Sequence, residues 1–290
     1  MVRSVFILVL SLLPTLVAAV AAQPTSGTFI AVENGQVWYQ TWGSGPKAIV
    51  LIHDGVLHSA VWDDVWPILC KDFRVVRFDR RGFGRSPAAT AHYSPVDDVT
   101  AVIRAAGLDQ FVLVGSSSGG GLAVDFTLQH PEAVERMVLV GPAISDLAQS
   151  QYFRDRVDAM GRRIQQGDLE GALRDSWAFA PGHEAALKRA VALLIANPQD
   201  LNHEDPARPA PVAKPLLPSI KAPTLILIGE YDIADNHAQA GAAEALILGA
   251  NRIVVRDTAH LMYLEHPDVF ATLVEQFANR TLAQEFGSRL

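Results

Sequence analysis

The sequence predicts an α/β fold: a mostly parallel, eight-stranded sheet with helices on both faces and a helical cap inserted after strand six. Three observations predict it. Short apolar runs alternate with segments of helical periodicity, as parallel sheets require. The 290 residues are 49% hydrophobic and 19% charged, which suffices for a large buried core. One helical stretch of about eighty residues interrupts the alternation and is too long for a loop.

Eight apolar or β-branched runs are the predicted strands. The first two flank Asn34-Gly35, a pair typical of a tight hairpin, so these strands should be antiparallel. The predicted strands are Phe29–Val32, Val37–Thr41, Ala48–His53, Arg74–Asp79, Phe111–Gly115, Arg136–Val140, Thr224–Gly229 and Arg252–Val255.

The segments between the strands have helical patterns, and we predict helices near 59–70, 95–106, 119–130, 238–248 and 267–279. Residues 143–221 form the predicted cap, with helices over 152–166, 169–179 and 184–196. A proline-rich return path, Pro206 to Pro218, closes this segment. Residues 23–142 and 222–290 are then the predicted core domain.

The N-terminus has the pattern of a secretory signal peptide. Arg3 precedes an apolar stretch from Val5 to Val20, and small residues follow as far as Ala22. We therefore expect residues 1–22 to be a signal peptide cleaved after Ala22, and the mature protein to be secreted or periplasmic. An uncleaved membrane anchor is the alternative, although Pro14 and the short length argue against a span. After cleavage we expect no stable membrane insertion.

Charge and cysteine content exclude some classes of function. The formal net charge of -7 disfavours nucleic acid as a partner, because phosphate binding needs clustered Lys and Arg. Cys70 is the single cysteine, so an intrachain disulfide is impossible. It follows apolar residues in a predicted helix, which is typical of a buried, inert thiol.

The most informative motif is Gly115-Ser-Ser117-Ser-Gly119, which joins a predicted strand to a predicted helix. This G-x-S-x-G pattern is typical of a nucleophile elbow, where a serine is held in a strained turn with its hydroxyl exposed. Of the three adjacent serines, only Ser117 has glycine two residues before and two residues after it. Ser118 then stands where its backbone N–H can help to bind an oxyanion. A Gly-rich turn with a purely structural role is the alternative.

A serine nucleophile needs a base and a carboxylate that orients the base. His260 follows the last predicted strand, and Asp232 lies three residues beyond the seventh, so both are expected at the same sheet edge. Asp146, Glu230 and Asp235 are the other acids considered. No H-E-x-x-H motif or Cys/His cluster occurs, so neither a metal nor a cofactor is expected.

Together these motifs resemble the α/β-hydrolase family, in particular its capped, esterase-like serine hydrolases, and the likeness spans nearly the whole mature chain. Ile52-His53-Asp54-Gly55-Val56 resembles the family's oxyanion loop, and Asp79 to Ser86 resembles its D-x-R-G-x-G-x-S turn. The chain has Asp54 where the family commonly has glycine. The resemblance implies that Gly55 and Ser118 donate to the oxyanion, with Val56 as the fallback donor, and that His53 braces the loop.

The resemblance also implies a reaction. We expect hydrolysis of carboxylic esters through an acyl-enzyme, with C–C bond hydrolysis, lactone hydrolysis and cofactor-free perhydrolysis as alternatives on the same fold. A small-molecule binding protein without catalysis is the alternative from a different class. The expected partner is a small ester with an apolar acyl group; nothing in the sequence indicates an oligomeric state. Five apolar side chains are candidates for the pocket or for the core: Trp62, Trp66, Trp177, Phe179 and Met262.

Overall fold

The computed structural model describes residues 26–201 and 205–281, so the predicted signal peptide (1–22) lies outside the described residues. The described residues form one eight-stranded sheet with the strand order β1-β2-β4-β3-β5-β6-β7-β8. The strands are β1 (Thr28–Val32), β2 (Gly35–Trp42), β3 (Lys47–Ile52), β4 (Phe73–Phe78), β5 (Phe111–Ser116), β6 (Val134–Val140), β7 (Thr224–Gly229) and β8 (Asn251–Val255). The predicted eight-stranded α/β fold is confirmed.

The sheet is antiparallel only at its beginning. β1 pairs with β2 and β2 with β4 in antiparallel register, whereas the pairs from β4 to β8 are parallel. The β1–β2 connection contains Asn34 with a φ of 54°, the left-handed conformation that the predicted hairpin requires. Because the remaining strands run in parallel, their carboxyl ends share one edge.

Nine α-helices occur in the described residues. They are α1 (Trp66–Leu69), α2 (Pro95–Ala105), α3 (Ser118–Gln129), α4 (Gln151–Gln165), α5 (Leu169–Arg174), α6 (Glu184–Ala196), α7 (Ala234–Leu246), α8 (Met262–Glu265) and α9 (Pro267–Ala278). None of them is both long enough and apolar enough to cross a membrane.

Alternate residues of the central strands face opposite sides of the sheet, and each side has its own apolar core. Ile49 and Leu51 of β3 face the side covered by α1 and α9, and Val50 and Ile52 face the side covered by α2 and α3. Both faces of the central strands are therefore buried, which explains their continuous apolar sequence.

Three helices, α4, α5 and α6, lie between β6 and β7, where the sequence predicts the cap. We call residues 143–221 the inserted segment. Leu173 of α5 and Leu187 of α6 belong to the same apolar cluster as Trp62 and Phe270 of the core. Helices α5 and α6 are thus anchored on the sheet side that carries α1 and α9, whereas Leu217 and Ile220, near the end of the inserted segment, belong to the apolar cluster on the other side.

Three predicted helices differ in extent, and the one expected near 238–248 begins earlier, as α7 at Ala234. The helix expected over 59–70 is a 3-10 turn (Ser59–Trp62) followed by the short α1, because Pro67 at the start of α1 has no N–H with which a helix could continue from the preceding turn. The helix expected over 169–179 ends at Arg174, because Trp177 and Ala178 use their carbonyls to bind another loop.

Candidate active site

Ser117 lies in the sharp turn between β5 and α3, with a φ of 52° and a ψ of −119°. A non-glycine residue in this region of backbone space is strained and persists only where its neighbours enforce it. The backbone of Ser117 is held from both sides. Its N–H donates to the carbonyl of Val140 over 2.8 Å, and its carbonyl accepts the N–H of Ala143 over 2.9 Å. The nucleophile-elbow geometry predicted from the motif is therefore present.

The two glycines of the motif are required by close packing. A Cβ on Gly115 would lie 2.3 Å from the carbonyl oxygen of Gly119, and a Cβ on Gly119 would lie 2.2 Å from that of His53. Real Cβ atoms are not found at such distances from backbone oxygens. A residue with a Cβ at either glycine would therefore displace backbone atoms of the turn.

The imidazole of His260 and the carboxylate of Asp232 form a buried pair. His260 Nδ1 lies 2.8 Å from Asp232 Oδ2, and both side chains are almost fully shielded from solvent. Burial lowers the pKa of His260, but the Asp232 charge and hydrogen bond outweigh burial, and the net pKa is raised. The Asp232 carboxylate also accepts from the backbone of Ile233 and the amide of Asn236, over 2.8 and 2.7 Å, respectively.

The other acids considered from the sequence lie elsewhere. Asp146 is exposed, Glu230 accepts the N–H of Asp257, and Asp235 accepts from the backbone and hydroxyl of Ser150. Among the described acids, Asp232 is the one that contacts the His260 ring. Asn236 also touches Nδ1 of that ring at 3.1 Å, a contact that no sequence motif indicates.

The structure brings Ser117 and His260 to the same edge without a direct hydrogen bond between their side chains. The link is the backbone of β6. Val140 binds the Ser117 N–H, and the Cβ position of the next residue, Gly141, lies 2.9 Å from Cε1 and Nδ1 of His260. Serine–histidine contacts of this kind are often long without substrate and shorten when it binds.

Asp54, the departure from the family pattern, organises the loop after β3. Its Oδ1 accepts the N–H groups of Val56 and Leu57 over 2.7 and 2.9 Å, and its Oδ2 accepts the hydroxyl of Tyr263 over 2.9 Å. The Val56 N–H is therefore already bonded, which argues against its use as the fallback oxyanion donor. The N–H groups of Gly55 and Ser118 make no hydrogen bond to the described residues and remain the two candidate donors.

Arg80 braces both candidate donors, a role that no sequence motif indicates. Its Nη1 donates to the Asp54 carbonyl over 3.2 Å and to the Ser118 hydroxyl over 2.7 Å. Because the peptide is planar and trans, a fixed Asp54 carbonyl points the Gly55 N–H the opposite way. Arg80 therefore sets the orientation of the Gly55 N–H and adds a positive charge beside the turn.

His53 supports the same loop through hydrogen bonds of both its ring nitrogens. Its Nε2 accepts the Arg80 N–H over 2.9 Å, so the proton is on Nδ1, which lies 2.7 Å from the Asp54 carbonyl. Burial, and next the charge of Arg80, lower the pKa of His53 well below its usual range. A neutral imidazole with both ring nitrogens in hydrogen bonds braces a loop and is not available as a base.

The five apolar candidates separate into two groups. Trp62, Trp66 and Met262 are buried in the core. Trp177 is half-buried, and its ring meets the ring of His260 edge-on at 6.3 Å. Phe179, two residues further along the chain, is also half-buried. Cys70 is buried, and burial raises its thiol pKa to about 12, as expected for an inert thiol.

Comparisons with known proteins agree with this fold. The profile of the alpha/beta hydrolase fold family matches residues 47–267. A pimeloyl-[acyl-carrier protein] methyl ester esterase from Pectobacterium carotovorum is 27% identical over 255 residues, which are 83% of this chain and 98% of the relative.

Solved structures give the same picture. An esterase from Exiguobacterium antarcticum superposes with a TM-score of 0.73 at 25% identity, over 87% of this chain and 99% of that one. An N-acyl homoserine lactone degrading enzyme superposes with a TM-score of 0.72 at 26% identity, over 86% and 100% of the two chains.

Proposed function

Because the chain belongs to the alpha/beta hydrolase fold family, we propose that it is a serine hydrolase of carboxylic esters, with Ser117 as nucleophile, His260 as base and Asp232 as the orienting acid. One observation carries the proposal. A serine held at a φ of 52° in a nucleophile elbow shares a sheet edge with a buried His–Asp pair. Strain of this kind is retained where it serves a site.

In the first step, the hydroxyl oxygen of Ser117 attacks the ester carbonyl carbon while Nε2 of His260 takes the hydroxyl proton. The carbonyl oxygen becomes an oxyanion, and the N–H groups of Gly55 and Ser118 are the proposed donors to it. The Asp232 carboxylate stabilises the imidazolium. His260 then returns the proton to the leaving alcohol as the C–O bond breaks, which leaves Ser117 acylated.

In the second step, His260 takes a proton from water as the water oxygen attacks the acyl carbon. The second tetrahedral intermediate collapses, Ser117 leaves with the proton from His260, and the carboxylic acid is released. Atoms and charges balance without a cofactor or a metal ion.

The esterase relatives support open-chain esters as the first substrate class. A lactone is the second candidate, because the lactone-degrading enzyme aligns along its whole length with this chain. A lactone is a cyclic ester, so the same residues can cleave it. The half-buried Trp177 beside His260 supports an apolar acyl group, since an aromatic ring there offers it a flat contact surface.

Two further features belong to the proposal. The inserted segment would act as the cap over the site, with the domain limits given above. Residues 1–22 would direct export, and N-terminal sequencing of the secreted protein tests this: a mature chain beginning at Gln23 supports it, and one that keeps Met1 contradicts it.

Covalent labelling tests the proposed chemistry. A fluorophosphonate probe should modify Ser117, identified by tandem mass spectrometry, and not the neighbouring Ser116 or Ser118. The Ser117→Ala variant should lose labelling and should lose several decades of p-nitrophenyl ester and lactone hydrolysis. Ser219→Ala, at an exposed serine far along the chain, is the control and should be unaffected. An unlabelled wild type would indicate a binding protein, and activity in Ser117→Ala within about tenfold of wild type would refute the nucleophile.

A further inference from the structure

A cluster of two histidines and one aspartate lies outside the proposed active site. One ligand atom from each of His183, Asp257 and His266 lies within 4.8 Å of the others. The Asp257 Oδ2 is 3.5 Å from Nε2 of His183 and 3.3 Å from Nε2 of His266. The two imidazole rings meet edge-to-face, with centroids 4.9 Å apart and planes at 82°.

These distances fit the edges of a zinc coordination tetrahedron. Zinc binds histidine nitrogen and carboxylate oxygen at about 2.0–2.2 Å, so two ligand atoms at the tetrahedral angle are about 3.3–3.5 Å apart. Both N–O distances in the cluster match that value. The two ligand nitrogens lie within 4.8 Å of each other.

The ligand types also fit a divalent transition metal. Two imidazoles and one carboxylate suit zinc and leave one position for water. The Asp257 side chain is 66% exposed, so an ion and its water can enter from solvent, whereas the His183 side chain is 14% exposed and thus held in place by its surroundings. No metal was expected from the sequence, because it has no H-E-x-x-H motif or Cys/His cluster; the fold brings His183, Asp257 and His266 together from distant positions.

The three residues lie on both sides of the contact between the inserted segment and the core loop that carries His260, which we call the junction. His183 stands at the start of α6 in the inserted segment, whereas Asp257 and His266 belong to the core and flank His260. The same junction is bonded by the buried Glu265, which accepts the N–H groups of Ala180 and Ala259. An ion bound by all three ligands would connect the inserted segment to the loop that carries His260.

We propose that His183, Asp257 and His266 form a zinc site that fastens the inserted segment to the His260 loop. The ion would stabilise the folded chain, because the three ligands come together only after folding. It takes no part in the hydrolysis, so zinc binding and esterase activity can be tested separately.

Zinc titration of the tag-free, chelator-treated protein by calorimetry tests the site. We expect one bound zinc per chain and a melting temperature that rises by roughly 5 °C or more at a hundredfold excess over Kd. His183→Ala, His266→Ala and Asp257→Asn should each weaken zinc binding by about tenfold or more, since each removes one of three ligands. Asn tolerates the positive φ of 55° at position 257, so this variant should fold.

Two control variants separate the outcomes. His92→Ala removes an exposed histidine outside the cluster and should leave zinc binding unchanged. Ser117→Ala should bind zinc as the wild type does even though its activity is lost. Co²⁺ should give visible absorption bands of a tetrahedral site in the wild type, and Asp257→Asn should lose them. A wild type that binds no zinc, or cluster variants that bind it as tightly as His92→Ala does, would overturn the proposal.

Discussion

At the scale of single residues, the protonation of His260 sets the pH at which the site can work. The base must be neutral to accept the Ser117 proton. Burial alone lowers the His260 pKa, but the Asp232 carboxylate more than reverses this and leaves the pKa above its ordinary value of about 6.5. The imidazole therefore stays protonated to a higher pH than a free histidine does, and activity should be lost as the pH falls through that raised pKa.

We therefore expect the acid limb of the kcat/KM profile for a p-nitrophenyl ester to have its midpoint above about pH 6.5. Asp232→Asn should lower kcat by roughly 10⁴-fold, because the wrong tautomer is then favoured. The same change should move the acid limb to lower pH, because the charge that raises the His260 pKa is gone. An acid limb that stays in place in Asp232→Asn would mean that another group titrates.

Arg80 gives a second prediction at this scale. It binds the Asp54 carbonyl and the Ser118 hydroxyl, and so positions both proposed oxyanion donors. Arg80→Met should lower kcat by about 10- to 10³-fold with little change in KM, because a misaligned donor acts mainly on the transition state. Arg80→Lys should restore part of the loss. Arg85→Met, from the same turn but exposed, is the control. If Arg80→Met lowered kcat only in proportion to the fraction of protein that it unfolds, Arg80 would have a structural role alone.

The sequence indicates the three proposed catalytic residues and not those that support them. Ser117, Asp232 and His260 follow strand ends, where local patterns are readable, and the buried Asp232–His260 pair is as predicted. Arg80 and Asn236 have no such signal. Arg80 occupies the variable position of the D-x-R-G turn, and its contacts come from residues 26 and 38 positions away along the chain. Such contacts depend on the fold and cannot be obtained from spacing.

At the scale of secondary-structure elements, agreement depends on what ends each element. The strands follow apolar runs bounded by turns, so each predicted strand overlaps the observed one; the beginning of α6 at Glu184 is also as predicted. The predicted bounds are wrong where contacts with residues distant in the sequence end an element. α5 stops early because Trp177 and Ala178 bind the backbone of His260 and Leu261, over 3.2 and 3.0 Å. The helical periodicity of the sequence continues past Arg174 and does not indicate these backbone hydrogen bonds.

The end of β6 gives a prediction at the element scale. Gly141 has a φ of 47°, and a Cβ there would lie 2.9 Å from the His260 ring and 3.1 Å from Asp232 Oδ2. Gly141→Ala should therefore displace the His–Asp pair and lower kcat by about 10²-fold or more, while the strained φ costs about 1 kcal/mol of stability.

Esterase kinetics and thermal unfolding measure the two effects of Gly141→Ala. Gly161→Ala is the matched control. Gly161 lies within α4, and outside the adjacent helix backbone no atom lies within 4 Å of its Cβ position, so alanine there should keep activity and stabilise the helix slightly. Full activity in Gly141→Ala would contradict this prediction, because it would mean that the His260–Asp232 pair tolerates a Cβ at position 141.

At the scale of the whole molecule, the inserted segment and the His260 loop form one packed unit. Leu173 and Leu187 share the apolar cluster that contains Leu261 and Met262. Two backbone bonds join Trp177 and Ala178 to His260 and Leu261. Displacement of the inserted segment would therefore pull on the loop that carries the proposed base. We therefore expect movement of the inserted segment to disturb the alignment of the proposed base.

Glu265 is the side chain that closes the junction, and its removal tests the coupling. Its Oε1 accepts the Ala180 N–H over 2.6 Å and its Oε2 accepts the Ala259 N–H over 2.7 Å, one on each side. Glu265→Ala leaves two buried N–H groups without a partner, at a cost of about 1–3 kcal/mol each, partly offset because a costly buried charge is also removed. We expect faster amide hydrogen exchange in residues 177–180 and 257–261, with exchange in β5 unchanged.

Catalysis should fall with the same change, because a looser His260 loop places the base less accurately. We expect kcat of Glu265→Ala to drop by about tenfold or more with a smaller change in KM. Glu275→Ala, on α9 and without a side-chain hydrogen bond to the described residues, is the control for loss of a glutamate. If exchange increased only on the core side of the junction while kcat stayed at the wild-type level, the inserted segment would not align the base.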